Sequence, residues 1–496
     1  MKFIRYIALS LVLAGCTDLA EEVHSELPAD KARAFLEENV NYASMMERVY
    51  RDFDNPFVQH GASVWVIDEI SGDAMVCPSR PSGWDNGGVY RDLHQHTWRA
   101  DHAYLRQVWE RMNRGVFDAT NVLNFSPTPE VAAEARFLRA YFMFTLLDLY
   151  DRVPYREPGS NLLLAPVVYS GTEAINFIIK EVEEALPLLS DTAPAYKASK
   201  NAAHGFLARL YLNKGVYADR ANPQFNNADL DKVIQYADAI TGKSINFYWD
   251  SFGPDNNTKS TELLFTIEGQ GGVRSHSLYV LWNAIFPTEI NLPNGGGWNG
   301  FAALGDFYDT FEQNDIRRYY EHPIVKARGY NAGFLVGQQY NANGDPIPNV
   351  VFTKEIPTIV GASLWNGVRP VKYIPDYANP TAADNDYILI RYTDVLLMKA
   401  EALLRKGSAS EALPIVNNIR TNRGVGAFQA LTLDNLLAER GRELNAEGLR
   451  RTDLVRYGKF LQPWHLKPAS DPIRLVFPVP PADVLANPNL EQNPGY

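Results

Sequence analysis

Apolar residues recur at three- and four-residue intervals along several stretches of this chain, the spacing that lines one face of an α-helix. Thr128 caps and Pro129 opens one such segment, which continues through Phe137, Leu138, Tyr141, Phe142 and Leu146. A second, about 172–186, carries Ile175, Ile178, Ile179, Val182 and Leu186 and ends at Pro187, whose missing N–H cannot continue a helix. A third, about 199–214, presents Ala203, Leu207, Leu210 and Tyr211 and is expected to stop at Gly215, with a further helix at about 228–240. The same grammar returns in Val395, Leu396, Ala400, Leu403 and Leu404, stopped by Gly407, after which Ser408-x-x-Glu411 reads as a capping box for 409–422. Trp98 to Trp109 reads as the start of another helix. These are helix–turn–helix units of tetratricopeptide type, although the roughly 34-residue consensus is not met over a full period. Between them, about 245–385 lacks helical periodicity, is rich in Gly, Asn, Tyr and Trp, and holds short β-like runs such as Leu263 to Ile267. Loop-rich stretches of this length are usually functional.

The N-terminus has a separate logic. Lys2 and Arg5 precede an apolar run from Tyr6 to Leu13, far shorter than the roughly 20 residues a membrane-spanning helix needs. Leu13-Ala14-Gly15-Cys16 then closes it as a lipoprotein signal, so residues 1–15 are expected to be removed and Cys16 to become the acylated first residue. Asp18, Glu21 and Glu22 mark 16–30 as a flexible acidic tether. No Pro/Ser-rich or Gly/Ser-rich linker divides the remainder, and 31–496 is expected to form a single domain.

Without the leader, the 47 basic and 58 acidic residues become 45 and 58, a net charge of −13, because only Lys2 and Arg5 are lost. That acidic body argues against nucleic acid as a partner. Cys77 is the one cysteine left once Cys16 is acylated, which excludes an intramolecular disulfide, and its neighbours Met75 and Val76 suit an inert buried thiol. His94-x-His96 with His102 nearby forms no recognised metal site, and a surface or stacking role is expected instead. There is no His-Glu-x-x-His, Gly-x-Ser-x-Gly, phosphate-binding loop or dinucleotide fingerprint, and no cofactor is expected.

Several longer segments carry a resemblance. Glu134-Ala135-Arg136-Phe137-Leu138-Arg139-Ala140-Tyr141 leads to Leu149-Tyr150-Asp151-Arg152-Val153-Pro154. Arg391-Tyr392-Thr393-Asp394-Val395-Leu396-Leu397-Met398-Lys399-Ala400-Glu401 follows later, then Glu439-Arg440-Gly441-Arg442-Glu443-Leu444, Glu447-Gly448-Leu449-Arg450-Arg451-Thr452-Asp453-Leu454, and the ending Asn487 to Tyr496. Together, in this order, they resemble the SusD/RagB family of outer-membrane lipoproteins of Bacteroidetes. The resemblance implies a mainly α fold in which four tetratricopeptide-like helix–turn–helix pairs support a loop-rich ligand-binding region with minor β, and no catalysis. It also implies nutrient capture at the cell surface beside a SusC-like TonB-dependent barrel transporter. Arg136, Arg139, Glu439, Arg440, Glu443, Glu447, Arg450 and Asp453 match family motifs and are assigned to ion pairs that hold the fold.

Candidate ligand residues come from the loops. Trp84 lies in Trp84-Asp85-Asn86-Gly87-Gly88-Val89-Tyr90 and Trp298 in Gly295-Gly296-Gly297-Trp298-Asn299-Gly300-Phe301, with Trp282 nearby. A sugar ring stacked on indole removes on the order of 100 Å² from water, worth ~2 kcal/mol. Charged or phenolic groups would bind the hydroxyls. Asp68, in the stretch before Trp84 that contributes ligand contacts in similar family members, Arg369 in Gly367 to Tyr373, and Tyr392 are the candidates. The expectation is oligosaccharide binding; peptide binding, as in the RagB branch, is the alternative. A lipid-anchored glycoside hydrolase would require two carboxylates about 5–10 Å apart.

Overall fold

A computed structural model describes residues 40–496; the expected leader, Cys16 and the 16–30 tether lie outside the described residues. Its helices of seven residues or more are α1 (Tyr42–Arg51), α2 (Val64–Ile70), α3 (Val89–Gln95), α4 (Ala103–Leu123), α5 (Pro129–Tyr150), α6 (Gly171–Ala185), α7 (Lys200–Ala218) and α8 (Asn227–Asp238). After these come α9 (Leu278–Ile285), α10 (Tyr392–Arg405), α11 (Ala409–Asn422), α12 (Leu433–Leu444) and α13 (Arg450–Arg456). The fold is mainly helical. Along the chain α4 packs on α5, α5 on α6, α6 on α7, α7 on α8, α8 on α10 and α10 on α11. Neighbour-on-neighbour packing of this kind is consistent with tetratricopeptide-like pairs.

Most helix limits follow local chemistry. The Thr128 hydroxyl accepts from the Val131 N–H, Asn226 caps α8, and Gly407 after α10 takes a left-handed conformation (φ +86°). Three limits differ from expectation. The helix expected from Trp98 onward begins only at Ala103 (α4), where the His102 side chain accepts from the Leu105 N–H, so Trp98 precedes it. Helix α7 runs through Gly215 to Ala218, and a Cβ at Gly215 would come within 1.8 Å of the Gln224 carbonyl oxygen, so the glycine admits a returning loop rather than ending the helix. Ser408 makes no side-chain cap to α11; the capping box stands instead at α12, between Thr432 and Asn435.

The region between α8 and α10 is built from small antiparallel sheets. Strand β1 (Met75–Val76) pairs with β3 (Ala302–Ala303), and β2 (Leu263–Ile267) with β9 (Tyr387–Arg391). Strands β4 (Tyr319–Tyr320), β5 (Ala332–Leu335) and β8 (Arg369–Val371) form a three-stranded sheet with β5 in the centre, and β6 (Gly337–Tyr340) with β7 (Pro346–Phe352) a hairpin. A bridge between Ala303 and Val368 joins β3 to the start of β8. Segments more than 200 residues apart in the sequence thereby meet beside β1.

Behind the loops lies a buried ionic core. Arg391 pairs with Glu447 and Glu443 at 2.9 Å and with Glu262 at 3.0 Å; Arg317 pairs with Glu439 at 2.7 Å, and Arg440 with Asp453 at 2.8 Å. Arg450 meets Asp73 at 2.6 Å, while Arg136 and Arg139 both hold Glu181. All eight motif residues assigned to ion pairs are in such pairs. Removing one partner from a buried pair typically costs about 3–5 kcal/mol, because the other charge stays uncompensated.

Cys77 is buried and unpaired, and burial pushes its thiol well up from the ordinary value. His94 and His96 are also buried, in and just after helix α3, rather than at the surface. Their Nε2 atoms meet the His465 and Ser71 carbonyls, and the His96 ring stacks 4.3 Å from Phe460. Burial pushes His94 down to about 4. Trp98 is buried too, its indole N–H donating to the Tyr496 hydroxyl at 2.7 Å. Trp282, read as a loop residue, lies in α9 and donates to the Tyr373 carbonyl at 3.1 Å.

Candidate functional site

Three loops meet at one surface. In the first, the backbone groups of Arg80 and Gly83 bond reciprocally at 2.8 and 2.9 Å, and the turn they close leaves Trp84 with φ +72°. A bulky side chain there costs of order 1–3 kcal/mol unless its surroundings hold it. Trp84 is held on three sides. Its indole N–H donates to the Trp298 carbonyl at 2.7 Å, and its ring tilts against Phe301 and Tyr90 with centroids 5.4 and 5.8 Å away. Gly300 lies against the ring, where a Cβ would come within 2.3 Å of indole carbons.

The second loop, 295–301, is fastened to the end of α9. The last carbonyls of a helix lack partners within it. Here Asn283 O accepts from Trp298 N at 2.5 Å, Ala284 O from Gly300 and Phe301 N at 2.7 and 2.9 Å, and the following Phe286 O from Asn299 N at 2.9 Å. The backbone is therefore fixed while the Trp298 side chain is 41% exposed. His60 stands edge-on to it at 5.0 Å and to Trp84 at 6.1 Å. Burial lowers the His60 pKa, which keeps the ring neutral near pH 7.

The third loop, 363–368, is gathered by two buried guanidiniums. Arg369 is 0% exposed and commits all five N–H groups: to Asn299 Oδ1 at 3.1 and 2.8 Å, and to the carbonyls of Asn366, Gly367 and Leu364 at 3.0, 2.6 and 2.9 Å. Arg80 donates to Gly300 O at 3.3 Å, to Asn366 O at 3.0 Å and to Ser363 O. Neither has a carboxylate within ion-pair distance among the described residues. Burial, with the positive Arg80 beside it, pushes Arg369 well below its ordinary value.

Trp84, Trp298 and Arg369 thus come together, with Arg369 in a supporting position: it has no donor left for a ligand and orients Asn299. Asp68 and Tyr392 lie elsewhere. Asp68 is in helix α2, capped by Ser63, rather than in a loop; it is 2% exposed and accepts from Arg451 N at 2.9 Å and the Thr452 hydroxyl at 3.4 Å. It lines a narrow pocket of about 60 Å³ with Asp148, Arg209 and Glu447, and burial pushes its carboxyl up to about 7. Tyr392 opens α10, half-buried, with its N–H on the Glu262 carbonyl at 2.8 Å. The sequence reading missed His60, Arg80 and Asn299 as parts of the patch. Asn299 stood inside a quoted Gly-rich segment; His60 and Arg80 carried no local signal.

The patch offers two aromatic faces, one freely exposed, on a rigid backbone, with a neutral imidazole at the edge. Such a surface can stack on apolar C–H faces of a ligand.

The chain is similar to known proteins over most of its length. Residues 288–468 match a family model described as the SusD family, and residues 59–212 match one described as starch-binding associating with outer membrane. The starch-binding protein SusD of Bacteroides thetaiotaomicron is 28% identical, over 80% of this chain and 79% of that protein. Among solved structures, a SusD superfamily protein from Parabacteroides distasonis superposes with a TM-score of 0.71 at 19% identity, covering 95% of this chain and all (100%) of the other. A laminarin-binding SusD-like protein gives 0.66 at 20% identity, with 92% and 99% covered.

Proposed function

Starting from the fact that this chain belongs to the SusD/RagB family, we propose that it binds oligosaccharide at the Trp84–Trp298 patch as a lipid-anchored protein of the outer membrane. The lipid on Cys16 would hold it at the cell exterior, and a SusC-like TonB-dependent barrel would receive the bound glycan. Binding proceeds without turnover. The observation that carries this reading is the pairing of an exposed Trp298 with a Trp84 whose indole N–H is locked to its carbonyl. Aromatic platforms fixed before the ligand arrives lose little entropy on binding. The names of relatives that bind starch and laminarin support a glucan as ligand.

Calorimetric titration of the purified mature protein with soluble starch, laminarin and xyloglucan tests it. Saturable binding to at least one, with no new reducing ends on prolonged incubation, is expected. Binding to none of them, alongside binding to a peptide library, would transfer the protein to the peptide-binding branch. Release of reducing ends would make it a hydrolase.

A further inference from the structure

A second cleft opens on the face formed by β4, the turn before β5, and the β6–β7 hairpin. Its volume is about 550 Å³, within the roughly 300–1,000 Å³ of small-molecule sites. Tyr319 on β4 is 53% exposed and Tyr340 at the end of β6 is 45% exposed, and both line it. The two walls come from sheets that adjoin along the chain: Tyr319 sits opposite Gly333 of β5 in the three-stranded sheet, and the β6–β7 hairpin follows β5 after a single residue.

Three amide side chains complete the lining, and each is already oriented. Gln338 Nε2 donates to the Gln339 and Ile347 carbonyls at 2.8 and 2.9 Å, and Gln339 Nε2 to Gly337 and Val336 at 3.0 and 3.3 Å. Asn331 Nδ2 donates to Ala332 and Phe334 at 2.8 and 2.9 Å. With their donors spent on backbone, all three leave a carbonyl oxygen as a fixed acceptor. The charges at the rim are self-contained: Glu321 pairs with Lys326 and accepts from the Tyr319 hydroxyl at 3.4 Å.

Fixed acceptors suit a ligand rich in O–H donors, phenol rings suit C–H faces, and the balanced rim gives an ionic ligand no counter-charge. We propose that this cleft is a second binding site, for a neutral saccharide, separate from the Trp84–Trp298 patch. It rests on the glycan-binding reading and adds a place of contact to it. The cleft's back wall touches the first site's support, since Tyr330 packs 5.8 Å from Phe286, whose carbonyl holds Asn299. Two contacts on one rigid body would favour long chains over short ones, because the second engagement is intramolecular.

The test uses the mature protein in affinity gels and titrations with soluble starch, laminarin and xyloglucan. A Tyr319→Ala/Tyr340→Ala variant should bind at least one polysaccharide about tenfold more weakly at unchanged melting temperature. Tyr319→Phe/Tyr340→Phe, which keeps both rings, should recover most of the affinity. In a Trp84→Ala/Trp298→Ala protein the residual binding should disappear when the tyrosine changes are added. Wild-type affinity of the double tyrosine variant for all three polysaccharides would overturn the second site and leave the first standing. If the unaltered protein binds none of them, the glycan-binding reading fails and this site with it.

Discussion

Trp84 and Trp298 are joined by a 2.7 Å hydrogen bond from indole N–H to main-chain carbonyl, so the first tryptophan is positioned by the backbone that carries the second. The two rings have different surroundings. Trp298 is exposed, whereas Trp84 is half-buried against Phe301 and Tyr90. Trp298→Ala should therefore lose about 2 kcal/mol of glycan binding with little change in melting temperature. Trp84→Ala should lose binding and also about 1–3 kcal/mol of stability, since packing goes with the ring. Titration and thermal melts on both variants check this; a Trp298→Ala protein with full affinity would remove that residue from the site.

Gly300→Ala places a methyl against the Trp84 ring, where no flexible atom can yield. Expected is a loss of glycan affinity comparable to Trp84→Ala, with about 1–3 kcal/mol of destabilisation from overpacking. Unchanged Trp84 fluorescence and unchanged affinity would show that the loop can relax away.

Arg369 serves the fold of the patch. Arg369→Lys keeps the charge but cannot satisfy Asn299 and three carbonyls at once, so it should destabilise by about 1–3 kcal/mol and weaken glycan binding through a loosened 295–301 loop. Hydrogen exchange of residues 295–301 and 363–367 is the readout. A stable variant with native exchange rates and weakened binding would instead mean that the guanidinium touches ligand.

Asp68 gives the protein a pH dependence of stated sign. Its carboxyl is raised from 3.8 to about 7 by burial, so between those values the folded state binds a proton that the unfolded state has released. Stability from this group is greatest below about pH 4, falls as pH rises to about 7, and then stays level, by at most about 1.4 kcal/mol per pH unit. Glu69, raised to about 8, acts in the same direction. Asp68→Asn removes the titration and keeps the acceptor for Arg451 N–H, so its melting temperature relative to wild type should rise from pH 5 to pH 8. A difference independent of pH would place Asp68 in its ionised form throughout.

Cys16→Ala should leave the protein unacylated and move it from the membrane fraction to the soluble one. Fractionation in cells lacking the proposed SusC-like transporter decides it; retention on the membrane there would contradict the proposed lipid anchor.

Helix α5 is readable because its cap and apolar spacing are local: Thr128 bonds within the helix's own first turn. Gly215 and Ser408 misled because their roles depend on a distant carbonyl and on an unusual approach to the helix, neither of which spacing records. The same division runs through the site. That Trp84 and Trp298 lie on loops is legible from the glycines around them, which are the local mark of a loop carrying an aromatic ring. Asp68 reads as a polar residue after an apolar run, and only the three-dimensional packing of α13 over α2 buries it. His60 joins the patch from a different part of the chain and has no sequence neighbour that announces it.

The fastening of residues 298–301 to the spent carbonyls of helix α9 has an evolutionary corollary. Every bond that shapes that segment onto the helix is made by main-chain atoms, which no substitution other than proline removes. The exposed side chain at 298 can change while the loop's course persists. A lineage built on this scaffold can therefore exchange one ligand for another by altering a few solvent-facing residues, without first having to refold its binding surface.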